Sequence, residues 1–297
     1  MEVVAKAQDI QSILRGIIIP SPPQVIADLQ MEMAMPDPDL DSLAEIISKD
    51  AGLSGAVLKT VNSPFYGGGR DITSIFQAVM MLGMQTIMDI INTICLKNAT
   101  ADKEKMSDKV YAELSRFWDS ASDVAKVCEM VAAKLGISPS DNAYLLGLFH
   151  NVGIALLIVK HDNYMDTMVE SYKQTKSRIV DIENKAIDTN HAVISYYTAK
   201  SWKIDGRLCK IISIHHNADI FSSPNVEDNM QNTLLGVLKI AEHIVGLHRI
   251  LGNQEVDHEW DKVGENVLLC VGLTTYELDD LKAQAADLGY GQQLYFR

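Results

Sequence analysis

Basic residues are scarce in this 297-residue chain, which has 26 Lys and Arg against 39 Asp and Glu and a formal net charge of −13 at pH 7. No strongly basic patch offsets that charge, so a phosphate backbone would be repelled and DNA binding is not expected. The segment 40–63 has the outline of a helix-turn-helix. Its acidic residues outnumber Lys49 and Lys59, which favours an ordinary helical hairpin.

Paired cysteines and a leader sequence are also missing. The four cysteines lie far apart in apolar stretches, which is typical of reduced thiols packed in a reducing compartment. The first ten residues, MEVVAKAQDI, lack a basic segment followed by an apolar core, so no secretory signal is expected. Together these features predict a cytoplasmic protein.

Glycine and proline are sparse, with 18 and 8 residues, whereas 47% of the residues are hydrophobic. Because the few glycines and prolines concentrate at turns, this composition favours helices over a β fold. Between Phe117 and Leu135, apolar residues recur in steps of three and four, the pattern of one long amphipathic helix. The sequence therefore predicts an all-α, multi-helical protein.

A polar, charged stretch from Asn98 to Asp108 is the best candidate for a domain boundary. We expect an N-terminal helical subdomain over residues 1–105, a helical bundle over 106–250 and a C-terminal helical extension over 251–297. No receiver, kinase or cyclase segment is recognised, so an upstream signal would have to come from a partner in trans.

The longest apolar run, residues 143–159, contains His150 and Asn151 at its centre. Its 17 residues are marginal for a bilayer, which takes about 20. We therefore predict one buried helix and no membrane partner. Buried imidazole and amide groups need hydrogen-bond partners, so the pair is either satisfied within the core or part of a site.

Other polar side chains also fall on apolar helices. His191 opens one helix, His215 and His216 close another, and Glu242 lies on the apolar stripe of a third. Several helices would thus direct imidazole and carboxylate groups into one core, which is how metal sites are assembled in helical bundles.

The order of these motifs resembles the HD-related output domains, relatives of the HD metal-dependent phosphohydrolases. The resemblance covers roughly residues 13 to 250 and is carried by short segments: Ile19–Val25, Leu43–Asp50, Val61–Gly67, Ser74–Gly83, Phe117–Trp118, Gly147–Gly153, His191–Ala192 and His215–His216. It implies a helical HD-like bundle with an N-terminal helical subdomain.

The resemblance also implies a degenerate metal site. Ser120 stands where the HD superfamily has a histidine, and His150-Asn151 replaces its His-Asp pair. The later ligands correspond to His191, to one of His215 or His216, and to a position near Glu242.

These departures bear on catalysis, because a hydrolytic metal needs anionic ligands and an open position. Asn151 is neutral and Ser120 removes an imidazole, so no catalytic residue and no firmly bound cofactor are expected. His150, His191, His215 (or His216) and Glu242 could still hold one divalent ion weakly.

A glycine-rich loop offers a second candidate site. Gly68 and Gly69 could cradle an anion on backbone amides, with Arg70 assisting. The competing interpretation is a flexible loop between two helices, because no phosphate-loop motif is complete.

The leading hypothesis is a non-catalytic, bacterial-type signal-transduction output or adaptor protein that binds a signalling partner or a ligand. The alternative is a residual metal-dependent phosphohydrolase acting on nucleotides or cyclic nucleotides. A third hypothesis is a non-catalytic nucleotide receptor that uses the pocket histidines and Arg70.

Overall fold

The computed structural model describes residues 12–63, 66, 72–101, 106–138, 142–217, 219–222 and 229–291. Within these residues the chain forms helices, turns and loops without a strand, which confirms the predicted all-α class. The backbone divides into two compact units. The smaller unit is Ser21–Asp102, and the larger one combines Met1–Pro20 with Lys103–Arg297.

Within the described residues of the smaller unit, four helices have defined bounds, and the starts of three of them follow from side-chain capping. They are α1 (Gln24–Met33), α2 (Leu40–Ser48), α3 (Ala51–Val61) and α4 (Ile75–Thr100). The Asp39 carboxylate accepts hydrogen bonds from the amides of Asp41 and Ser42 at the start of α2. Asp50 and Ser74 cap α3 and α4 in the same way. Helix α4 is broken at Gly83, whose φ of 79° lies in the left-handed region.

The larger unit contains the other helices whose bounds are defined within the described residues. They are α5 (Asp108–Lys134), α6 (Ala143–Phe149), α7 (Val152–Lys160), α8 (Tyr164–Lys173), α9 (Ile179–Ile187), α10 (His191–Ser201), α11 (Gly206–Ile214), α12 (Asp219–Ser222), α13 (Asn229–Val245), α14 (Leu247–Ile250), α15 (Trp260–Val271) and α16 (Thr275–Asp287). Helix α5 packs against α6 and α13, and α10 packs against α7 and α11. The core of this unit lies among these helices.

Two glycines allow close approaches in that core. A Cβ on Gly147 would lie 2.7 Å from the Cα of Ala125, so α6 can contact the backbone of α5 only with glycine at this position. A Cβ on Gly153 would collide with the backbone carbonyl of His191. The amide of Gly153 also donates a hydrogen bond of 2.8 Å to the Ser195 hydroxyl. These contacts fix α7 against the start of α10.

The apolar run differs from its prediction in one respect. Residues 143–159 do not form one helix, because the chain breaks between α6 and α7 at His150 and Asn151. The prediction of a single helix was therefore wrong, although residues 143–158 are buried as expected. By length and composition alone, the stretches Ile75–Thr100 and Ala143–Lys160 could cross a membrane, and 83% of the second is buried within the protein.

The division of the chain also differs from the expected one. Residues 12–20 belong with the larger unit, and residues 251–291 pack into that unit as well. Helix α15 was not predicted, and its contact with α13, together with that of α16, joins this segment to the bundle. All four cysteines are free, and three of them are buried: Cys95, Cys128 and Cys209.

Candidate functional site

Four histidines meet in the core of the larger unit because each stands at a helix end. His150 follows α6, His191 is the first residue of α10, and His215 and His216 follow α11. Their side chains are at most 4% exposed. Helix ends place side chains where neighbouring helices cross, so sequence-distant residues come together.

The Nδ1 atom of each imidazole is held by an acceptor. Nδ1 of His150 donates to the carbonyl oxygen of Gly147, and Nδ1 of His215 donates to that of Ile212, both at 2.7 Å. In His191 and His216, Nδ1 lies against a carboxylate, that of Glu183 at 2.6 Å and that of Glu259 at 3.0 Å. In His191, His215 and His216, such contacts fix the tautomer and leave Nε2 with its lone pair, as in metal-binding histidines.

Three of these Nε2 atoms converge. The Nε2 atom of His191 lies 3.3 Å from that of His215 and 3.0 Å from that of His216. All three ligand atoms are within 4.8 Å of one another. Two nitrogens bound at about 2.0–2.1 Å to a tetrahedral Zn²⁺ would lie about 3.3 Å apart. This imidazole triad therefore fits one divalent cation of the kind that the HD resemblance implies.

The charge state of the triad supports that fit. Burial, followed by the positive charges of neighbouring groups such as Lys239, lowers the pKa of His215 and of His216 well below 6.5. Both rings are therefore neutral at pH 7, and a neutral imidazole is the form that binds metal.

Glu183 supports His191 from behind and was missed in the sequence. Its side chain is fully buried on α9 and accepts hydrogen bonds from the Tyr164 hydroxyl at 2.5 Å and from the His191 amide at 3.1 Å. The signal that could have found it is its spacing. Glu183 lies one turn after Ile179 and one turn before Ile187, on the apolar stripe of α9.

The acidic half of the site consists of Glu242 and Glu259, which are arranged around a lysine. Glu242 on α13 has one carboxylate oxygen 3.3 Å from Nε2 of His150 and the other 2.8 Å from Nζ of Lys239. Lys239 also lies 3.1 Å from Glu259. Burial raises the pKa of Glu242, but the charge of Lys239 and the interaction with His150 outweigh this effect and lower the pKa to about 2. This carboxylate pair, Glu242 and Glu259, therefore has an ammonium as its counter-ion.

The two substituted positions contribute no charge. Ser120 is buried on α5, and its hydroxyl donates to the carbonyl oxygen of Phe117 at 2.7 Å. Its hydrogen bond is therefore made within its own helix. Asn151 is 2% exposed, and its side-chain oxygen has no hydrogen-bond partner within the described residues. A buried neutral amide thus stands at the position to which the HD resemblance assigns a carboxylate.

The structure thus brings together most of the predicted site residues. His150, His191, His215, His216 and Glu242 form one cluster, and both members of the 215–216 pair take part instead of one. Ser120 makes its bond within α5. The predicted anion-binding residues Gly68, Gly69 and Arg70 lie outside the described residues.

A cavity of about 360 Å³ opens beside His216. Its wall includes the basic side chains of Lys176, Arg178 and Lys262, together with His258. Arg178 is held by a bidentate ion pair to Asp181, at 2.7 and 3.0 Å. Glu259 lines this cavity and also forms an ion pair with Lys239.

Comparison with known proteins agrees with this architecture. Residues 19–218 match the HDOD domain, so the chain belongs to the HDOD domain family. The match ends before Glu242, so it is shorter than the span of the resemblance seen in the sequence.

Two solved structures share the fold over nearly the whole chain. An HDOD domain protein of unknown function from Geobacter sulfurreducens is 21% identical, with a TM-score of 0.65 over 94% of this chain and 96% of that one. A protein from Shewanella amazonensis SB2B, suggested to be a phosphohydrolase, is 24% identical, with a TM-score of 0.66 over 97% and 95%. At these identities the likeness shows the fold alone.

An uncharacterized protein of Treponema pallidum (strain Nichols) is 22% identical over 199 residues, which are 67% of this chain and 38% of that protein. The chain spans less than two fifths of the length of the curated relatives that it matches.

Proposed function

We propose that the chain is a non-catalytic signal-transduction protein that acts by binding. The observation that carries this function is the neutral, buried Asn151 in a site where Lys239 neutralises the carboxylates of Glu242 and Glu259. A metal bound there would lack the anionic ligands that generate a nucleophilic water. Membership of a family of HD-related output domains supports a signalling role.

The cavity beside His216 supports a small anionic ligand as the signal. Lys176 and Lys262 place positive charge around about 360 Å³ in a chain whose net charge is −13. In the same wall, the charges of Arg178 and Glu259 are balanced by Asp181 and Lys239. Such local concentrations of positive charge suit phosphate groups, and the volume is in the range of small-ligand pockets. A nucleotide is the class of ligand that we propose. A protein partner would then respond to the bound state.

Two measurements on the full chain test this function. With added Mn²⁺, we expect no hydrolysis of nucleotides, cyclic nucleotides or bis(p-nitrophenyl) phosphate above the metal-only blank. In a thermal-shift panel, we expect at least one nucleotide to stabilise the protein, and the double variant Lys176→Gln/Lys262→Gln to lose that shift. Lys282→Gln, outside the cavity wall, is the matched control and should keep it. If neither a nucleotide nor inorganic phosphate stabilises the protein, the proposal of a nucleotide ligand fails.

A metal-dependent phosphohydrolase is the second candidate function, favoured by the convergence of the imidazole triad. A divalent cation held by His191, His215 and His216 would supply Lewis-acid chemistry to a bound phosphate. This candidate predicts near-stoichiometric metal in protein purified without chelators. It also predicts that Asn151→Asp combined with Ser120→His raises a measurable starting activity. If the wild-type activity is zero and the metal content is far below one equivalent, the second candidate fails.

A further inference from the structure

A buried lysine lies at the centre of the acidic half of the site. Lys239 on α13 is 4% exposed, and its ammonium contacts Glu242, one turn later on α13, and Glu259, the residue before α15. Removing an ammonium from water is costly unless it is paired, and here two carboxylates pair with it. Their charges raise the pKa of Lys239 despite its burial, so it is a permanent cation.

The same two carboxylates reach the histidines with their other oxygens. Glu242 lies 3.3 Å from Nε2 of His150, and Glu259 lies 3.0 Å from Nδ1 of His216. A pair of carboxylates beside imidazole nitrogens is a donor set that divalent cations such as Mn²⁺ bind. In this chain the ammonium of Lys239 stands between those carboxylates.

We propose that Lys239 is a built-in replacement for a metal ion, which neutralises the carboxylate pair and closes the acidic half of the site to divalent cations. The ammonium binds Glu259 and so fixes the segment before α15 against α13. No exchangeable ion is needed for this contact. Its charge also disfavours a second cation nearby. This role holds whether or not the cavity beside His216 binds an anion.

Manganese binding by the full chain tests the role. The variant Lys239→Met removes the ammonium and leaves both carboxylates in place, and Lys239→Arg keeps the charge as the matched control. We expect Lys239→Met to bind one more equivalent of Mn²⁺ than the wild type, or to bind it at least about tenfold more tightly, because a repelling charge is replaced by free anionic ligands. Lys239→Arg should bind Mn²⁺ like the wild type. Adding Glu242→Gln to Lys239→Met should abolish the gain.

Stability gives a second readout that does not depend on stoichiometry. Lys239→Met removes the ammonium that neutralises two buried carboxylates, so we expect a lower thermal midpoint in EDTA and recovery in Mn²⁺, with little Mn²⁺ effect on the wild type. Lys239→Gln, which keeps hydrogen-bond donors, covers the case in which Lys239→Met does not fold in EDTA. If folded Lys239→Met binds Mn²⁺ no better than the wild type, or if Mn²⁺ recovers neither variant, the lysine is only a structural ion-pair partner.

Discussion

At the scale of single residues, the chemistry of the site depends on which imidazole nitrogen carries the proton. The carbonyl and carboxylate acceptors described above hold the proton on Nδ1 of each histidine. The Nε2 lone pairs of His191, His215 and His216 then face one another at 3.0 and 3.3 Å. Lone pairs at this distance repel unless a proton or a metal ion lies between them. The triad is therefore suited to holding a cation.

Replacing Glu183 by glutamine tests this orientation. Its amide would present a donor to Nδ1 of His191, which favours the opposite tautomer with a hydrogen on Nε2. We expect Zn²⁺ affinity to fall about 10- to 100-fold, as for other partners of metal-binding histidines. We also expect a loss of about 1–3 kcal/mol in the free energy of unfolding, because buried polar groups lose their matched partners. Calorimetric Zn²⁺ titration and urea unfolding measure the two effects.

Tyr164→Phe is the matched control for Glu183→Gln. It removes the 2.5 Å hydrogen bond to the same carboxylate but leaves its charge and its contact with His191 in place. It should lower stability and leave Zn²⁺ affinity close to that of the wild type. Equal losses of Zn²⁺ affinity in both variants would show that Glu183 acts only through packing.

The buried histidines also set the pH dependence of stability. The pKa values of His215 and His216 lie well below 6.5 in the folded protein, so the unfolded chain binds more protons below that pH. Their contribution to stability is complete above pH 6.5 and is lost as the pH falls. Each histidine adds a slope of up to about 1.4 kcal/mol per pH unit. The pKa of Glu242 is lowered from 4.5 to about 2, so protonation of this carboxylate continues the loss of stability as the pH falls from 4.5 to about 2.

Urea unfolding between pH 7.5 and 5.5 measures this dependence. We expect the free energy of unfolding to fall with pH, and His216→Gln to reduce the slope by about one proton. The amide introduced by this substitution would still be able to donate to Glu259. A wild-type protein that becomes more stable toward pH 5.5 would show that the imidazoles gain protons in the folded state, which contradicts the expected sign.

At the scale of helices, the sequence predicted the positions of helices better than the contacts between them. Periodicity predicted the second half of α5, and the apolar stretches around the histidines and Glu242 marked the start of α10, the end of α11 and part of α13. It could not show the break at His150 and Asn151, because an uninterrupted apolar run fits one buried helix or two. It also missed α15, and with it Glu259, whose role depends on Lys239 and His216 from distant parts of the chain.

The contact of α7 with α10 provides a test at this scale. In Gly153→Ala the added methyl would collide with the carbonyl of His191, so α7 or the start of α10 must shift. We expect a loss of about 1–3 kcal/mol, typical of overpacking a core, together with weaker Zn²⁺ binding because His191 moves. Gly206→Ala is the matched control, since a methyl there meets no atom within 4 Å. Urea unfolding that gives the same loss for both variants would show that the contact is not tight.

At the scale of the whole molecule, the order of elements along the chain limits what sequence can predict. The resemblance identified the family correctly, because its short motifs occur in the right order. The larger unit, however, is assembled from both sides of Ser21–Asp102, and the helices after residue 251 complete it. Such assembly depends on contacts between distant segments, which a local pattern of residues does not encode.

The net charge of −13 is a property of the whole molecule and leads to a salt dependence. Mutual repulsion of surface carboxylates destabilises the folded state, and salt screens it over a Debye length of about 10 Å at 0.1 M. The ion pairs of Lys239 are buried and should be screened much less. We therefore expect the thermal midpoint to rise by a few degrees, about 2–4 °C per kcal/mol gained, between roughly 20 and 200 mM NaCl.

A less acidic variant separates this screening from specific ion effects. Asp280→Lys combined with Asp287→Lys changes two exposed residues of α16 and brings the formal charge from −13 to −9, a change of four. Because less repulsion is left to screen, the rise of its thermal midpoint with NaCl should be smaller than in the wild type. A midpoint that falls with NaCl in the wild type would mean that exposed ion pairs, not repulsion, dominate the surface electrostatics.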